Sequence, residues 1–266
     1  MTTPSVLVLR AAGTNCDAET AYAFEHFGAK ADVLHVNRVL EDPERIRRHH
    51  LLAVPGGFAY GDDIGAGAVF ATELGTRLAE PLKAFLDDGG LALGICNGFQ
   101  VLARLGLLPG LDQPLGKREV TLTDNVSRKY EDRWVKLKVT SRRCVFVGDM
   151  DDPEMMVAHA EGRLVPLDDD VLARLDNDDR VVFRYADASG EPTQTYPANP
   201  NGSASAIAGL TDATGRVLGL MPHPERAFFA YQHPEWTRQK ARGELPDMGP
   251  GAAIFENGVA WVRENR

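Results

Sequence analysis

The chain has 266 residues, of which 44% are hydrophobic and 25% are charged, a composition that predicts a soluble globular protein with one large domain or two small ones. Its formal net charge of −9 argues against a nucleic acid or an anionic membrane as partner, because either would require a positively charged surface. We therefore expect small-molecule and protein partners.

The apolar run near the N-terminus covers only residues 6–9, too short for a signal peptide, and no segment approaches the ~20 apolar residues that span a bilayer. We expect a cytoplasmic protein. The three cysteines, Cys16, Cys96 and Cys144, contain no C-x-x-C pair. An odd number of widely spaced cysteines favours reduced thiols over disulfides or a zinc site, so we expect no metal site in this chain.

The chain up to Gly106 alternates apolar strands with helices. In chain order we predict a strand over 5–10, a helix over 17–28, short strands over 32–36 and 51–57, a helix over 69–86 broken near Pro81, a strand over 91–96 and a helix over 97–106. The strands are apolar without alternation of buried and exposed positions. This pattern is typical of a parallel sheet covered on both faces.

After Gly106 the segments become shorter and richer in β-forming residues, which predicts an antiparallel appendage or sheet edge. Residues 204–226 resemble a hairpin with its turn at 212–215, and residues 251–265 predict a closing helix. No repeat or long linker divides the chain. We therefore expect a single domain over 1–266, with a doubly wound, mostly parallel α/β sheet and an antiparallel appendage.

One predicted strand ends in a cysteine, at the sheet edge where ligands of open α/β sheets collect. Cys96 lies between Gly94 and Gly98, at the point where the strand runs into a helix. G-x-C-x-G in this context has the form of a nucleophile elbow, in which the glycines leave room for neighbouring elements. The helix start also offers free N–H groups to a developing oxyanion. A buried structural cysteine is the alternative, and this motif alone does not decide between them.

A reactive thiolate needs a base and a group that orients the base. The candidates are three His-x-Glu pairs: His159 with Glu161, His223 with Glu225, and His233 with Glu235. Alternate residues of an extended segment share a face, so spacing cannot choose among the pairs. His233 follows no apolar strand, which favours a surface residue, whereas prolines on both sides of His223 favour a rigid imidazole. An ordinary hydrogen-bonded histidine remains the alternative at each position.

A glycine pair, Gly56 and Gly57, follows the predicted strand over 51–57. Glycines allow backbone N–H groups to approach a substrate closely, as an oxyanion hole requires. A plain turn is the alternative, because two adjacent glycines are common in turns.

Taken in order, PGGF (55–58), G-x-C-x-G (94–98) and P-H-P-E (222–225) resemble the class I, triad-type glutamine amidotransferases. Over nearly the whole chain the sequence also resembles the glutaminase subunits of phosphoribosylformylglycinamidine synthase. The segments that carry this resemblance are GTNCD (13–17), PGGFAYGDD (55–63), GAGAVFA (65–71), GICNGFQ (94–100), NVSRKYE (125–131), HAEGR (159–163), NPNGS (199–203) and MPHPER (221–226). The resemblance implies a flavodoxin-like fold and hydrolysis of L-glutamine to glutamate and ammonia for purine biosynthesis.

The resemblance also implies roles for particular residues. Cys96 is the implied nucleophile, His223 the implied general base and acid, and Glu225 the group that orients the imidazole and balances its charge. The N–H groups of Gly57 and Asn97 are the implied oxyanion donors. The family pattern thus chooses the His-x-Glu pair that spacing left open.

Further residues are implied around the site. The residues implied to surround bound glutamine are Gln100, Asn125, Ser127, Tyr130 and Glu131. His159 and Glu161 become site-adjacent or interface residues, and Cys16 becomes structural. Two positions depart from the family pattern: Ala12 stands where a proline is usual, and residues 129–131 read K-Y-E instead of R-F-E. Both departures concern only local loop contacts.

No G-x-x-x-x-G-K-[ST] phosphate loop occurs in the chain, so we expect no cofactor here. The resemblance implies that ATP and magnesium bind to a partner, the ATP-dependent synthetase subunit, with a small accessory subunit in some systems. Segments 60–75 and 226–240 are candidate docking surfaces for the channelled transfer of ammonia. Two alternatives are a stand-alone cysteine hydrolase or peptidase of the same fold and a non-catalytic regulatory module.

Overall fold

The apolar runs of the sequence form a nine-stranded sheet in the computed structural model of the chain, which describes residues 2–112 and 115–266. The strands are β1 (Ser5–Arg10), β2 (Lys30–His35), β3 (Leu51–Val54), β4 (Leu91–Ile95), β5 (Val120–Thr123), β6 (Glu131–Val139), β7 (Glu154–His159), β8 (Arg163–Pro166), β9 (Val181–Ala186), β10 (Ile207–Thr211) and β11 (Val217–Leu220). The helices are α1 (Asp17–His26), α2 (Val36–Glu41), α3 (Ala68–Arg77), α4 (Ala79–Asp87), α5 (Asn97–Arg104), α6 (Asp169–Asn177), α7 (Trp236–Arg242) and α8 (Ala252–Asn265).

The large sheet has a parallel half and an antiparallel half, in the order β2-β1-β3-β4-β11-β10-β9-β6-β7. The strands from β2 to β11 are parallel, and those from β11 to β7 pair antiparallel. The expected antiparallel appendage is therefore the second half of the same sheet, joined through the predicted β10–β11 hairpin, while β5 and β8 pair separately. The predicted α/β fold class is confirmed, and the single domain over 1–266 stays a prediction.

The parallel strands are covered on both faces, as their uniform apolar sequences predict. Every residue of β3 and β4 is buried. A Cβ added to Gly98 of α5 would lie 3.1 Å from the Val54 Cβ, and one added to Gly258 of α8 would lie 3.4 Å from a Leu51 methyl. Leu51 and Val54 are three positions apart in a strand, so their side chains point to opposite faces. Helices α5 and α8 thus cover opposite faces of the sheet.

The helix predicted over 69–86 is two helices, and the expected break near Pro81 falls at Leu78, three residues before the proline. Helix α3 ends at Arg77 and α4 begins at Ala79, so the chain turns at Leu78. Pro81 lies in the first turn of α4, where a missing N–H costs no intrahelical hydrogen bond. Within the described residues 2–112 and 115–266, no helix is long and apolar enough to cross a membrane.

The topology brings four loops to one edge of the sheet. Strands β1, β3, β4 and β11 are consecutive neighbours and parallel, so their carboxyl ends lie side by side. The loops that follow them contain Cys16, Gly57, Cys96 and His223. These segments are far apart in the sequence, and the sheet makes them a single candidate site.

Candidate active site

Cys96 occupies a strained turn between β4 and α5. Its φ of 50° and ψ of −104° lie in a region that L-residues rarely adopt. The residue is only 5% exposed, and its Sγ lies 3.7 Å from the carbonyl oxygen of Ala158. The thiol is therefore held beneath the surface in one orientation, as expected for a residue at a nucleophile elbow.

The two glycines beside Cys96 provide space rather than unusual dihedral angles. A Cβ on Gly98 would lie 1.8 Å from the carbonyl oxygen of Val54, and a Cβ on Gly94 would lie 2.7 Å from the carbonyl oxygen of Gly98. These contacts are far shorter than any van der Waals separation. The glycines allow α5 to pack directly on β3 and β4, and the left-handed φ falls on Cys96 itself.

His223 is fixed by its backbone and by a carboxylate. Its N–H donates to the carbonyl oxygen of Met156 in β7, at 2.8 Å. Its ring Nδ1 lies 2.6 Å from Oε1 of Glu225, and the two side chains are 3% and 0% exposed. The short turn Pro224–Arg226 places Glu225 beneath the imidazole. This bond has the geometry of a base held and oriented by an acid.

The other two His-x-Glu pairs lack this bond. Nδ1 of His159 pairs with Asn125 at 3.2 Å, while Glu161 accepts from the N–H of Ala66 at 3.0 Å. Glu235 pairs with Arg238, and its partner His233 lies in the segment before α7, as a surface or helix-entry residue would. Of the three pairs, the structure thus joins only His223 and Glu225 through the carboxylate.

Two opposing effects act on the pKa of His223. Burial lowers it, whereas the negative charges of Glu225 and Cys96 raise it, and the charges prevail: the pKa lies well above its usual value. Nε2 of His223 has no hydrogen-bond partner among the described residues. The imidazole therefore keeps its proton at neutral pH, with one ring nitrogen free to exchange a proton with a reacting group.

His159 lies beside this pair as a neutral imidazole. It is 3% exposed, and burial together with the nearby charge of His223 lowers the pKa of His159 to about 3. Since a neutral histidine carries no charge that would oppose the His223 imidazolium, the two rings are tolerated close together.

The predicted oxyanion donors are backbone N–H groups without a backbone acceptor. Asn97 is the first residue of α5, so its N–H has no partner within the helix. Within residues 2–112 and 115–266, no backbone carbonyl accepts from the N–H of Gly57. The side-chain oxygen of Asn97 accepts from the N–H of Ala59 at 3.3 Å, which ties the loop after β3 to the start of α5.

Two of the predicted glutamine-binding residues use their amides within the protein. Asn125 is 1% exposed and bonds the carbonyl oxygens of Lys129 and His159 at 2.9 and 2.8 Å. Gln100 accepts from Asn97 at 3.0 Å and donates to the carbonyl oxygen of Glu161. These bonds favour a role in holding the walls of the site over direct contact with glutamine.

Of the remaining three predicted residues, Ser127 and Tyr130 lie on the segment that leads into β6, and Glu131 is the first residue of that strand. Ser127 donates to Glu131 at 2.7 Å, and Arg133 pairs with the other oxygen of the buried Glu131. Tyr130 is 49% exposed and stacks on Phe58 with ring centroids 6.4 Å apart. Of the five, Tyr130 is thus the one with a large side chain available to a ligand.

Sequence reasoning missed the position of Cys16. Its Sγ lies 4.0 Å from Nδ1 of His223 and accepts from Arg226 at 3.1 Å. Residues 13–17 carried a family signal, but nothing in their order indicates a contact with residue 223. Asp62 was missed as well, and it accepts from the Asn97 amide at 3.0 Å.

With this geometry established, comparisons identify the family. A model of the CobB/CobQ-like glutamine amidotransferase domain matches residues 3–262. Phosphoribosylformylglycinamidine synthase subunit PurQ of Dehalococcoides mccartyi is 44% identical and covers 99% of this chain and 100% of its own. The subunit of the same name from Methanococcus maripaludis is 42% identical, with 98% of both chains covered. The chain therefore belongs to the CobB/CobQ-like glutamine amidotransferases and, within them, to the PurQ subunits.

Solved structures agree with this assignment. A chain in the structure of PurLQS from Thermotoga maritima has a TM-score of 0.70 and 29% identity, covering 98% of this chain and 100% of its own. A glutamine amidotransferase from the same organism has a TM-score of 0.54 at 16% identity, covering all of both chains, and shows the fold alone. The family and the fold class predicted from the sequence are both confirmed.

Proposed function

We propose that this chain is the glutaminase subunit of a phosphoribosylformylglycinamidine synthase and hydrolyses L-glutamine to glutamate and ammonia. The observation that carries this proposal is the buried pair of His223 and Glu225, joined at 2.6 Å, beside a strained cysteine that follows β4. Relatives at 44% and 42% identity carry the name of that synthase subunit. This support favours a glutaminase over a peptidase of the same fold.

The first chemical step forms a covalent intermediate. The Cys96 thiolate attacks the side-chain carbonyl carbon of glutamine, and the carbonyl oxygen becomes an oxyanion. The N–H groups of Gly57 and Asn97 are placed to stabilise that charge. As the tetrahedral intermediate collapses, Nε2 of His223 gives its proton to the departing nitrogen, so ammonia leaves and a γ-glutamyl thioester remains on Cys96.

The second step returns the enzyme to its starting state. Neutral His223 takes a proton from a water molecule, and the resulting hydroxide attacks the thioester carbon. The carbon–sulfur bond then breaks, so glutamate is released and Cys96 returns to the thiolate beside the imidazolium. One water is consumed for each glutamine. Glu225 remains ionised throughout and stabilises the imidazolium.

The ammonia is proposed to serve a synthetase partner in the cytoplasm. The relatives are named as synthase subunits, and one structure is that of PurLQS. We place ATP, magnesium and the conversion of formylglycinamide ribonucleotide to formylglycinamidine ribonucleotide on that synthetase, with a small accessory subunit where the synthetase is divided. The sequence of this chain contains no Walker-type phosphate loop.

Residues 59–67 are the proposed docking loop for the synthetase. Ile64 in this loop is 87% exposed, and an exposed apolar side chain of this size is typical of a contact surface. The loop is also tied to the site, because Asp62 binds Asn97 at 3.0 Å and the N–H of Ala66 binds Glu161 at 3.0 Å. Contact at Ile64 would thus reach the segment that carries an oxyanion donor.

The test compares two nitrogen donors in the assembled synthase. With Cys96→Ala we expect loss of the glutamine-dependent reaction and retention of the ammonium-dependent one. The matched control is Cys144→Ala, which removes another buried thiol and should retain both reactions.

Three outcomes contradict the proposal. Equal loss of both reactions would indicate a damaged complex, and loss of neither would favour a regulatory module. Full glutamine turnover by the isolated chain would favour a stand-alone hydrolase.

A further inference from the structure

A second thiol, that of Cys16, lies near Nδ1 of His223, whereas the proposed reaction uses Nε2 on the other side of the ring. Cys16 is fully buried, and its Sγ lies 4.0 Å from Nδ1 of His223. One ligand atom each from Cys16, His223 and Glu225 lie within 4.8 Å of one another. We propose that these three residues form a binding site for Zn²⁺ that inhibits the enzyme by occupying its base.

The donor set suits zinc in type and in spacing. Zn²⁺ binds thiolate sulfur at about 2.3 Å, imidazole nitrogen at about 2.0–2.1 Å and carboxylate oxygen at about 2.0–2.2 Å. Sγ of Cys16 and Nδ1 of His223 lie 4.0 Å apart and need only a small inward movement to meet those distances, whereas Nδ1 and Oε1 of Glu225, at 2.6 Å, must separate by about 0.8 Å. Oδ1 of Asn15 lies 3.2 Å from the Cys16 sulfur, so an amide oxygen or a water can complete four-coordination.

An unpaired carboxylate oxygen provides an independent sign of a ligand. Oε2 of Glu225 is buried and has no hydrogen-bond partner among the described residues, and the side chain is 0% exposed. Buried polar atoms are rarely left without a partner. A cation at this cluster would give Oε2 a partner.

The charges of the cluster also accommodate a dication. Burial raises the pKa of the Cys16 thiol, while Arg226, which donates to the sulfur at 3.1 Å, acts in the opposite direction and favours the thiolate. On binding, the Cys16 thiol and the His223 imidazolium each release a proton to solvent. The two charges of Zn²⁺ replace those two protons, so the net charge of the cluster, counted with the Arg226 guanidinium, does not change.

The consequence is inhibition that leaves the nucleophile untouched. A His223 whose Nδ1 is bound to zinc has given up its Nδ1 proton and its bond to Glu225. Its Nε2 keeps a proton, but the ring is no longer an imidazolium, so it is a weaker acid toward the departing nitrogen and cannot take a proton from the Cys96 thiol. Cys96 is not part of the donor set. This inhibitory effect rests on the proposed glutaminase function, whereas the binding of metal does not.

Binding is tested with Co²⁺, whose thiolate complexes absorb in the near ultraviolet. Titration of the full chain should give a thiolate-to-cobalt band that saturates at one equivalent and is displaced by Zn²⁺. Cys16→Ser should abolish the band and weaken Zn²⁺ binding by about tenfold or more. Cys144→Ser, which replaces a buried thiol outside the cluster, and Cys96→Ala should both keep the band.

The opposite pattern overturns the site. A band that persists in Cys16→Ser and disappears in Cys96→Ala would place the metal on the nucleophile, and a folded wild-type chain without a band would exclude the site. Should Cys16→Ser not fold, Glu225→Gln must weaken Zn²⁺ binding instead, and unchanged affinity there would equally refute the proposal.

The inhibitory effect of Zn²⁺ is tested separately, by measuring activity. In the assembled synthase, Zn²⁺ should inhibit the glutamine-dependent reaction of wild type at about tenfold lower concentration than that of Cys16→Ser. Equal sensitivity would overturn inhibition through this site. A correct cobalt spectrum with no glutaminase activity in any protein would contradict the proposed function and leave the metal site standing.

Discussion

Replacing Glu225 with glutamine removes one charge from the buried pair with His223 and keeps an oxygen as hydrogen-bond acceptor. The paired atoms lie 2.6 Å apart, and the side chains are 0% and 3% exposed, so water screens them little. Opposite charges with centres about 4 Å apart interact by about 4 kcal/mol at an effective dielectric constant of about 20. This attraction holds the pKa of His223 above its usual value despite burial, and the substitution removes it.

The expected result is a change in the pH dependence of glutaminase activity. In the wild type the pKa of His223 lies well above its usual value, so the imidazolium persists on the alkaline side. In Glu225→Gln the alkaline limb should move to lower pH, and activity at neutral pH should fall about 10²–10⁴-fold. Release of glutamate by the assembled synthase, measured from about pH 6 to about pH 10, gives both quantities.

A matched substitution serves as control. Glu235 also ends a His-x-Glu sequence, but it is 54% exposed and pairs with Arg238, so Glu235→Gln should leave the profile unchanged. An unmoved alkaline limb in Glu225→Gln, or the same shift in both variants, would refute the reasoning.

The pair should also contribute to stability, and the sign follows from the raised pKa. Because folding raises the pKa of His223, its protonated form stabilises the fold below about pH 6.5, and this contribution is lost as the pH rises through the folded pKa. Wild type and Glu225→Gln should therefore differ more in free energy of unfolding at about pH 6 than at about pH 10.

Two further predictions concern stability. Gly98→Ala should lower the free energy of unfolding by about 3 kcal/mol or more, because its Cβ would lie 1.8 Å from the Val54 oxygen. The control is Gly75→Ala, whose Cβ meets only a Leu105 methyl at 3.2 Å and which should change the free energy by about 1 kcal/mol or less. Urea titrations measure both variants, and equal effects would contradict the packing argument. Folding lowers the pKa of His159 to about 3, so the unfolded state takes up its proton first and stability falls by up to about 1.4 kcal/mol per pH unit as the pH drops from about 6.5 toward 3. His159→Gln should reduce this acid sensitivity, and a variant as sensitive as wild type would show that another group is responsible.

Features that depend on neighbouring residues could be predicted from the sequence. The strands β3 and β4 are apolar at every position because both of their faces are covered, so their type and parallel pairing follow from composition and the connecting helices. The turn at Cys96 could also be predicted locally, because Gly94 and Gly98, the two glycines that its close packing requires, lie within two residues of it. The ordered motifs then predict the family, which the comparisons confirm.

Features that depend on long-range packing needed the tertiary structure. Spacing offered three equivalent His-x-Glu pairs. The tertiary structure holds His223 to the backbone of Met156 and joins His223 to Glu225 at 2.6 Å in a buried position. The amides of Asn125 and Gln100 are used to hold loops, which no motif indicates. Cys16 lies next to His223 across 207 positions of sequence because β1 and β11 end at the same edge of the sheet. Sequence records which side chains are present, but burial and strand order decide which of them share one small, poorly solvated volume where charges and ligands act on each other strongly.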